Sequence, residues 1–216
     1  MSKSRLAGCR LYGFIDTTYV GNLDPGELAR DLVAGGVDIL QVRAKNSTHA
    51  ERVALGLKVV SAVFPSHVPV IINDDIDAAF ECGADGVHLG QEDWAAIPRG
   101  QRADRLANMR IVGISTHTLD QALTAERDGA SYIGVGPVFP TATKPGAAPV
   151  GIDLVREIAA QVKIPFFAIG GITLDNIGQV MEAGATRVAV VSAILKASDV
   201  TEASAKFKKR LKGVKP

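Results

Sequence analysis

Val70-Ile71-Ile72-Asn73-Asp74-Asp75 and, further on, Val87-His88-Leu89-Gly90-Gln91-Glu92-Asp93 each pass abruptly from an apolar run to a polar, acidic cluster. A strand buried on both faces of a parallel sheet reads as a continuous hydrophobic run. Acids just past the ends of two such strands belong at the mouth of the sheet, where α/β proteins bind their ligands. An acidic mouth suits a divalent cation with oxygen ligands.

Working outward, four segments share one pattern: Gly36-Val37-Asp38-Ile39, Gly83-Ala84-Asp85-Gly86-Val87, Gly129-Ala130-Ser131-Tyr132-Ile133 and Gly184-Ala185-Thr186-Arg187-Val188. In each, glycine follows a helical stretch and leads into a β-branched run, which reads as helix stop, turn and strand start. Four further strands lie between them, at Leu11–Asp16, Val68–Asn73, Ile111–Ser115 and Pro165–Gly170, giving eight. Helix starts are signalled at Asp24-Pro25-Gly26-Glu27, Thr48-His49-Ala50-Glu51 and Thr118-Leu119-Asp120-Gln121, each with a capping residue and a partner three positions on. Strands alternating with helices predict a parallel sheet with right-handed crossovers. Eight such units favour a closed (β/α)8 barrel over an open sheet. The expected architecture is one TIM-barrel domain over 1–216, with the barrel at about 10–200 and a basic C-terminal tail at about 201–216.

A chain of 216 residues, 47% of them hydrophobic, can bury one sizeable core. Its net charge of +1 gives no global field to attract nucleic acid or an anionic membrane, and neither partner is expected. No apolar run reaches membrane-spanning length, and the N-terminus lacks a secretory core. Cys9 and Cys82 have no metal-ligand spacing and read as small hydrophobes in a reducing compartment. A soluble cytoplasmic protein is expected.

The chemistry gathers at the strand ends. Side chains alternate across a strand, so Gln41, Arg43 and Lys45 share one face of strand two while Val42 and Ala44 share the other. Arg offers a planar fork and Lys a point charge, a combination suited to phosphoryl oxygens; a salt bridge to the acids of the neighbouring strand is the structural alternative. With Asn73, Asp74 and Asp93 beside them, these cations suggest a diphosphate held through Mg²⁺, which usually takes one or two carboxylates and completes its shell with phosphate oxygens. Asp75, Asp77, Asp85 and Glu92 read as turn or cap residues. Ser115 ends strand five without a nucleophile elbow around it, so it is read as a phosphate donor or an ordinary strand-end hydroxyl. His117 reads as an acid or base, or equally as a local cap.

The longest connection, Pro137 to Val150, carries Thr141, Thr143 and Lys144 and reads as an anion-binding flap or a disordered turn. Gly170-Gly171 after strand seven and Ser192 after strand eight match the position where barrels bind phosphate through backbone N–H groups. That predicts a second phosphate site, separate from the metal-bound one.

Together these runs resemble thiamine-phosphate synthase, a barrel enzyme family that joins the pyrimidine and thiazole halves of vitamin B1. The matching residues are Gln41 to Lys45, Ile72 to Asp74, Gly83 to Asp93, Gly113 to Thr118, Gly136 to Lys144, Ile169 to Thr173 and Val190 to Ser192, spread from about the first strand to the last. The resemblance implies a transferase of thiamine biosynthesis that takes a pyrimidine diphosphate and a thiazole phosphate. Gln41, Arg43, Lys45, Asn73, Ser115 and Lys144 would hold the pyrimidine diphosphate, with Arg43, Lys45, Ser115 and Lys144 as the catalytic groups. Asp74 and Asp93 would bind Mg²⁺. Thr141, Thr143, Gly171, Val191 and Ser192 would receive the thiazole phosphate, and Val42, Ala44 and Ala142, inside the same runs, are counted with the substrate-binding set. The family usually has Glu where Ala44 stands and Arg where Asp75 stands. Ala44 lies on the face away from the proposed ligands; Asp75 replaces a cation beside the metal site.

Three rival readings share the barrel. A thiazole tautomerase-like isomerase would use His117 or a neighbour and would not need Lys45, Asp74 and Asp93 together. A sugar-phosphate isomerase would leave strands two to four idle. A non-catalytic thiamine-precursor binding protein would use the same residues. Homo-oligomer formation is left open. The lysine-rich end, Lys206 to Pro216, reads as a solvated last helix whose cations suit its C-terminal dipole. Trp94 reads as a shield for the metal site or as a hydrophobic contact under its loop.

Overall fold

The computed structural model describes residues 6–21, 23–141, 143, 146 and 148–212. Eight parallel strands close into a barrel in sequence order: β1 (Leu11–Asp16), β2 (Ile39–Arg43), β3 (Val70–Asn73), β4 (Gly86–Leu89), β5 (Ile111–Thr116), β6 (Tyr132–Val135), β7 (Phe166–Ile169) and β8 (Val188–Ala189). The final pairing sets Leu11 against Val188 and Tyr12 against Ala189. The expected (β/α)8 barrel is what the chain forms.

The four repeated glycines act as read. Gly36, Gly83, Gly129 and Gly184 all have positive φ, between 68° and 99°, a region glycine enters without steric cost. After each, the next amide reaches back five residues: Val37 to Leu32, Ala84 to Ala79, Ala130 to Ala125 and Ala185 to Val180. That is the Schellman closure of a helix C-terminus. The pattern holds a second device that the sequence reading left unassigned. Two residues past the glycine, Asp38 accepts hydrogen bonds from the Arg10 and Leu11 amides, Asp85 from the Val70 amide and Ser131 from the Val112 amide. The side chain that opens one strand thus satisfies the first amides of its predecessor.

Helix starts follow their caps. Thr48 and Glu51 form a complete reciprocal capping box, and Asp24 accepts from the Gly26 and Glu27 amides. Thr118 caps Leu119–Arg127 through the Gln121 amide. The Gln121 side chain instead accepts from the His117 amide, one residue before the cap. The C-terminal segment expected as a basic tail is helical over Val200–Leu211, burying Ser204, Phe207 and Leu211. It packs closely on the end of helix Pro25–Ala34, where a Cβ on Gly35 would come within 2.5 Å of Ser204. Its cations are partly paired, Lys206 with Glu202 and Lys208 with Asp38. Residues 213–216 lie outside the described residues.

Two apolar layers result from strand alternation. Leu40, Val42, Ile72, Val87, Leu89 and Ile114 face the surrounding helices. Tyr12, Phe14, Ile39, Ile71, Ile111, Tyr132, Phe167 and Ala189 fill the barrel interior, with Leu6 and Cys9 in the same cluster. Each fully buried side chain of this size stabilises the fold by roughly 1.5–3 kcal/mol relative to exposure. A barrel interior is ordinarily filled by branched aliphatic residues; here aromatic rings occupy its middle.

Candidate active site

Above the aromatic layer, at the C-terminal ends of the strands, lies a cavity of about 530 Å³. Its lining includes Gln41, Arg43, Lys45, Asn73, Asp74, Asp93, Ser115, Thr141, Thr143, Gly171, Val191 and Ser192. Twelve residues singled out in the sequence therefore share one cavity. Val42 and Ala44 do not line it: both are buried on the opposite face of β2 and its extension, as alternation requires. Ala142 and Lys144 lie outside the described residues.

On the β2–β4 side, Arg43 realises the salt-bridge reading and still reaches the cavity. Its Nη1 lies 2.7 Å from Oδ2 of Asp16, at the end of neighbouring β1. Asp16 is fully buried and also accepts from the Thr18 amide. One prong of the guanidinium is thereby fixed, and a planar fork so anchored keeps further donors for an anion.

Asp74 is one of two described non-glycine residues with positive φ, at 63°. Its backbone amide donates to the His88 carbonyl at 2.8 Å, and its carboxylate accepts from the side-chain Nδ2 of Asn73. This left-handed step turns the chain sharply at the end of β3. Asp74 opens onto the cavity; its next neighbour, Asp75, turns away. Packing around the Asp74 carboxyl and the like charge of Asp93 push it above the usual carboxylate range, with Lys45 opposing. A cation between the two carboxylates would relieve the repulsion that Asp93 exerts on Asp74. Asp75 caps the helix Ile76–Glu81 through the Ala78 amide and pairs with Arg52 at 2.9 Å and His49 at 3.0 Å. Burial acts against its ionisation, but these hydrogen bonds hold its carboxyl below the ordinary value. Asp77 pairs with Arg105, and Asp85 serves the strand start described above. Glu92, read as a turn residue, is exposed but lines the cavity with Asp93.

Across the barrel, the chain after β6 crosses to β7: the Val138 amide donates to the Ile169 carbonyl and the Phe139 amide to that of Gly170. Gly170 and Gly171 have φ of 98° and 66°. A Cβ on Gly171 would meet the Pro140 carbonyl at 2.6 Å, and one on Gly170 would meet Pro137 at 2.5 Å. The pair of glycines is thus required by backbone conformation and by contact with the chain's own 137–140 segment. The Thr143 hydroxyl bonds that of Tyr19 at 3.0 Å, tying the segment to the helical turn after β1. Ser192 opens a short helical turn, Ser192–Leu195, directly after Val191.

The sequence reading missed the cavity's floor. Tyr12 stacks on Phe14 with ring centroids 5.1 Å apart and meets Tyr132 and Phe167 edge to face. Through this floor runs a hydrogen-bonded chain: Gln41 Nε2 to Tyr12 at 2.8 Å, Tyr12 to Tyr132 at 2.8 Å, Tyr132 to His88 Nδ1 at 3.0 Å, and His88 Nε2 to Ser115 Oγ at 2.9 Å. Burial lowers the His88 pKa to about 4, so the imidazole is neutral at physiological pH. Burial likewise raises both tyrosines, which stay protonated. A signal for these residues exists in the sequence: alternation sets His88 opposite Val87 and Leu89, and Tyr12 opposite Leu11.

His117 also lines the cavity, and its Nδ1 donates to the Gly136 carbonyl, which fixes the ring and turns Nε2 away from that carbonyl. Trp94 is buried outside the cavity with the Arg102 guanidinium 3.9 Å from its ring. It is the contact beneath the loop rather than a shield over Asp93.

The family model for thiamine monophosphate synthase matches residues 11–194. The chain belongs to the thiamine monophosphate synthase family. Curated relatives agree over nearly full length. A thiamine-phosphate synthase of Chloroflexus aurantiacus is 40% identical over 94% of this chain and 93% of its own. One of Methanospirillum hungatei is 42% identical over 92% and 96%. Among solved structures, a thiamine phosphate pyrophosphorylase from Pyrococcus furiosus superposes with a TM-score of 0.86 at 33% identity, covering 99% of both chains. The thiamine monophosphate synthase match spans every strand of the barrel and so every element that contributes to the cavity.

Proposed function

We propose that this member of the family is a transferase that joins a diphosphomethyl aminopyrimidine to a thiazole phosphate, forming thiamine phosphate and diphosphate with Mg²⁺ bound between Asp74 and Asp93. The single observation that carries the reading is the mouth's division: Asp74 and Asp93 with Arg43 and Lys45 on one side, and Gly171 and Ser192 on the other, above one aromatic floor. Among the described residues no group of three or more His, Cys, Asp or Glu converges on one point. Two carboxylates suffice for Mg²⁺, which takes the rest of its shell from phosphate oxygens and water. Bound there, the cation would neutralise charge developing on the departing diphosphate.

The protein's own residues do the remaining work. Arg43, anchored by Asp16, and Lys45 stabilise the leaving oxygens electrostatically. The aromatic floor accepts flat heterocycles and excludes water beneath them. The carbon–oxygen bond to diphosphate breaks while the electron-rich aminopyrimidine supports positive charge on its methylene carbon. The thiazole nitrogen then forms the new bond to that carbon. No proton must be abstracted, which fits a buried, neutral His88 beneath the cavity. Holding both reactants in line supplies the remaining advantage. Lys144 and Thr143 would reach the phosphates from the 137–150 connection. No helix among the described residues is long and apolar enough to cross a membrane. Cys9 and Cys82 are both buried, in keeping with a reducing, cytoplasmic setting. The test is formation of thiamine phosphate from the two halves with and without Mg²⁺. Metal-dependent synthesis is expected; thiazole isomerisation without coupling would favour the tautomerase reading.

A further inference from the structure

We propose that Tyr132 and His88 are positioning residues that fix the direction of the Ser115 hydroxyl, so that its proton points into the cavity as a donor to a phosphate oxygen. The order follows from counting protons. Tyr12 oxygen already accepts from Gln41 Nε2, and its only other hydrogen-bond partner among the described residues is the Tyr132 oxygen. Tyr12 is almost fully buried, so its proton has to go to Tyr132. Tyr132 then gives its own proton to His88 Nδ1. With Nδ1 accepting from Tyr132, the ring carries its proton at Nε2, and Nε2–H donates to Ser115 Oγ. The Ser115 oxygen is occupied from behind, and its hydrogen is left for the cavity. The opposite order would leave the Tyr12 proton buried without an acceptor.

Space has been cleared for this relay. A Cβ on Gly113 would lie 2.1 Å from Tyr132 Cζ and 2.4 Å from its hydroxyl oxygen. The ring therefore sits where only glycine on the adjacent strand admits it. No carboxylate takes part in the chain, which separates it from a charge-linked histidine that shuttles protons. Its product is orientation: a donor aimed before the substrate arrives costs no reorganisation when charge develops.

This inference rests on the reading of Ser115 as a contact to the diphosphate, and two measurements keep the two apart. The first needs no turnover. In ¹⁵N-histidine-labelled protein near neutral pH, with His88→Gln identifying the ring's resonances, His88 is expected protonated at Nε2 and bare at Nδ1. Protonation at Nδ1 would overturn the relay whatever the enzyme's activity. The second is a double-mutant cycle on coupling turnover. Tyr132→Phe and Ser115→Ala should each lower kcat about tenfold, the scale of one hydrogen bond to a charged group, with KM for the thiazole phosphate unchanged. The double variant should be no slower than either single one, because both remove the same donor. Losses that multiply to about a hundredfold would show that Tyr132 acts elsewhere and would defeat the assignment.

Discussion

Arg43 and Asp16 form the tie between the cavity's cationic side and the buried wall of the barrel: Nη1 to Oδ2 is 2.7 Å, with Asp16 closed to solvent. Removing only the acid leaves a guanidinium without its partner in a partly buried place. Asp16→Ala should therefore cost about 3 kcal/mol, the scale for breaking a buried pair, read by denaturant unfolding. It should also raise KM for the pyrimidine diphosphate. Arg43→Lys should fail to restore that KM, because an ammonium cannot hold Asp16 and an anion in one plane; full activity in Arg43→Lys would remove the fork from the account.

Asp74 combines an unusual backbone with a carboxyl at the proposed cation seat. Asp74→Asn keeps the shape and removes the charge. The Mg²⁺ concentration giving half-maximal turnover should rise at least about tenfold, one lost charge contact being worth more than 1.4 kcal/mol. Asp74→Gly should lose activity equally while relieving the φ of 63°, so its melting temperature should not fall. A parallel fall in activity and stability across both variants would reduce Asp74 to a structural residue.

The depressed pKa of His88, about 4, makes a signed prediction for stability. The unfolded chain's histidine protonates near its ordinary pKa of about 6.5, so between these values the unfolded state binds the extra proton. Stability is full above about pH 6.5 and declines as pH falls toward 4, by about 3 kcal/mol in all. Chemical denaturation across that range checks it. His88→Gln should flatten this part of the profile, and an unchanged slope would mean that other groups carry it.

The far side of the cavity should be separable from the near one. Ser192→Ala is expected to raise KM for the thiazole phosphate several-fold and to leave that for the pyrimidine diphosphate nearly unchanged. Initial rates with each substrate varied in turn decide the matter. An equal effect on both would merge the two anion sites into one.

Much of the barrel was legible because its punctuation is local. A glycine of positive φ closes a helix wherever it stands, so Gly36, Gly83, Gly129 and Gly184 could be read without tertiary knowledge. The strand-end acids and cations were legible for the same reason, since a hydrophobic run ending in charge marks a sheet's mouth. The floor was not. His88 was passed over within an apolar run, although alternation aims it inward, and Tyr12 and Tyr132 meet only because β1 and β6 curve around one barrel. The Arg43 partner was foreseen only in kind, because register decides which acid faces it, and β1 sets Asp16 opposite. The Gly170-Gly171 pair was read as room for a phosphate; its closest neighbours are the chain's own Pro137, Phe139 and Pro140.

The most direct test of the metal-bridged diphosphate is a crystal of this protein grown with diphosphate and Mn²⁺ in place of Mg²⁺, examined by anomalous scattering. One ion is expected, bound by oxygens of both Asp74 and Asp93 and by the diphosphate, with Arg43 and Lys45 on the remaining phosphate oxygens. Diphosphate seated in the cavity with those two carboxylates turned apart and no anomalous peak between them would contradict it.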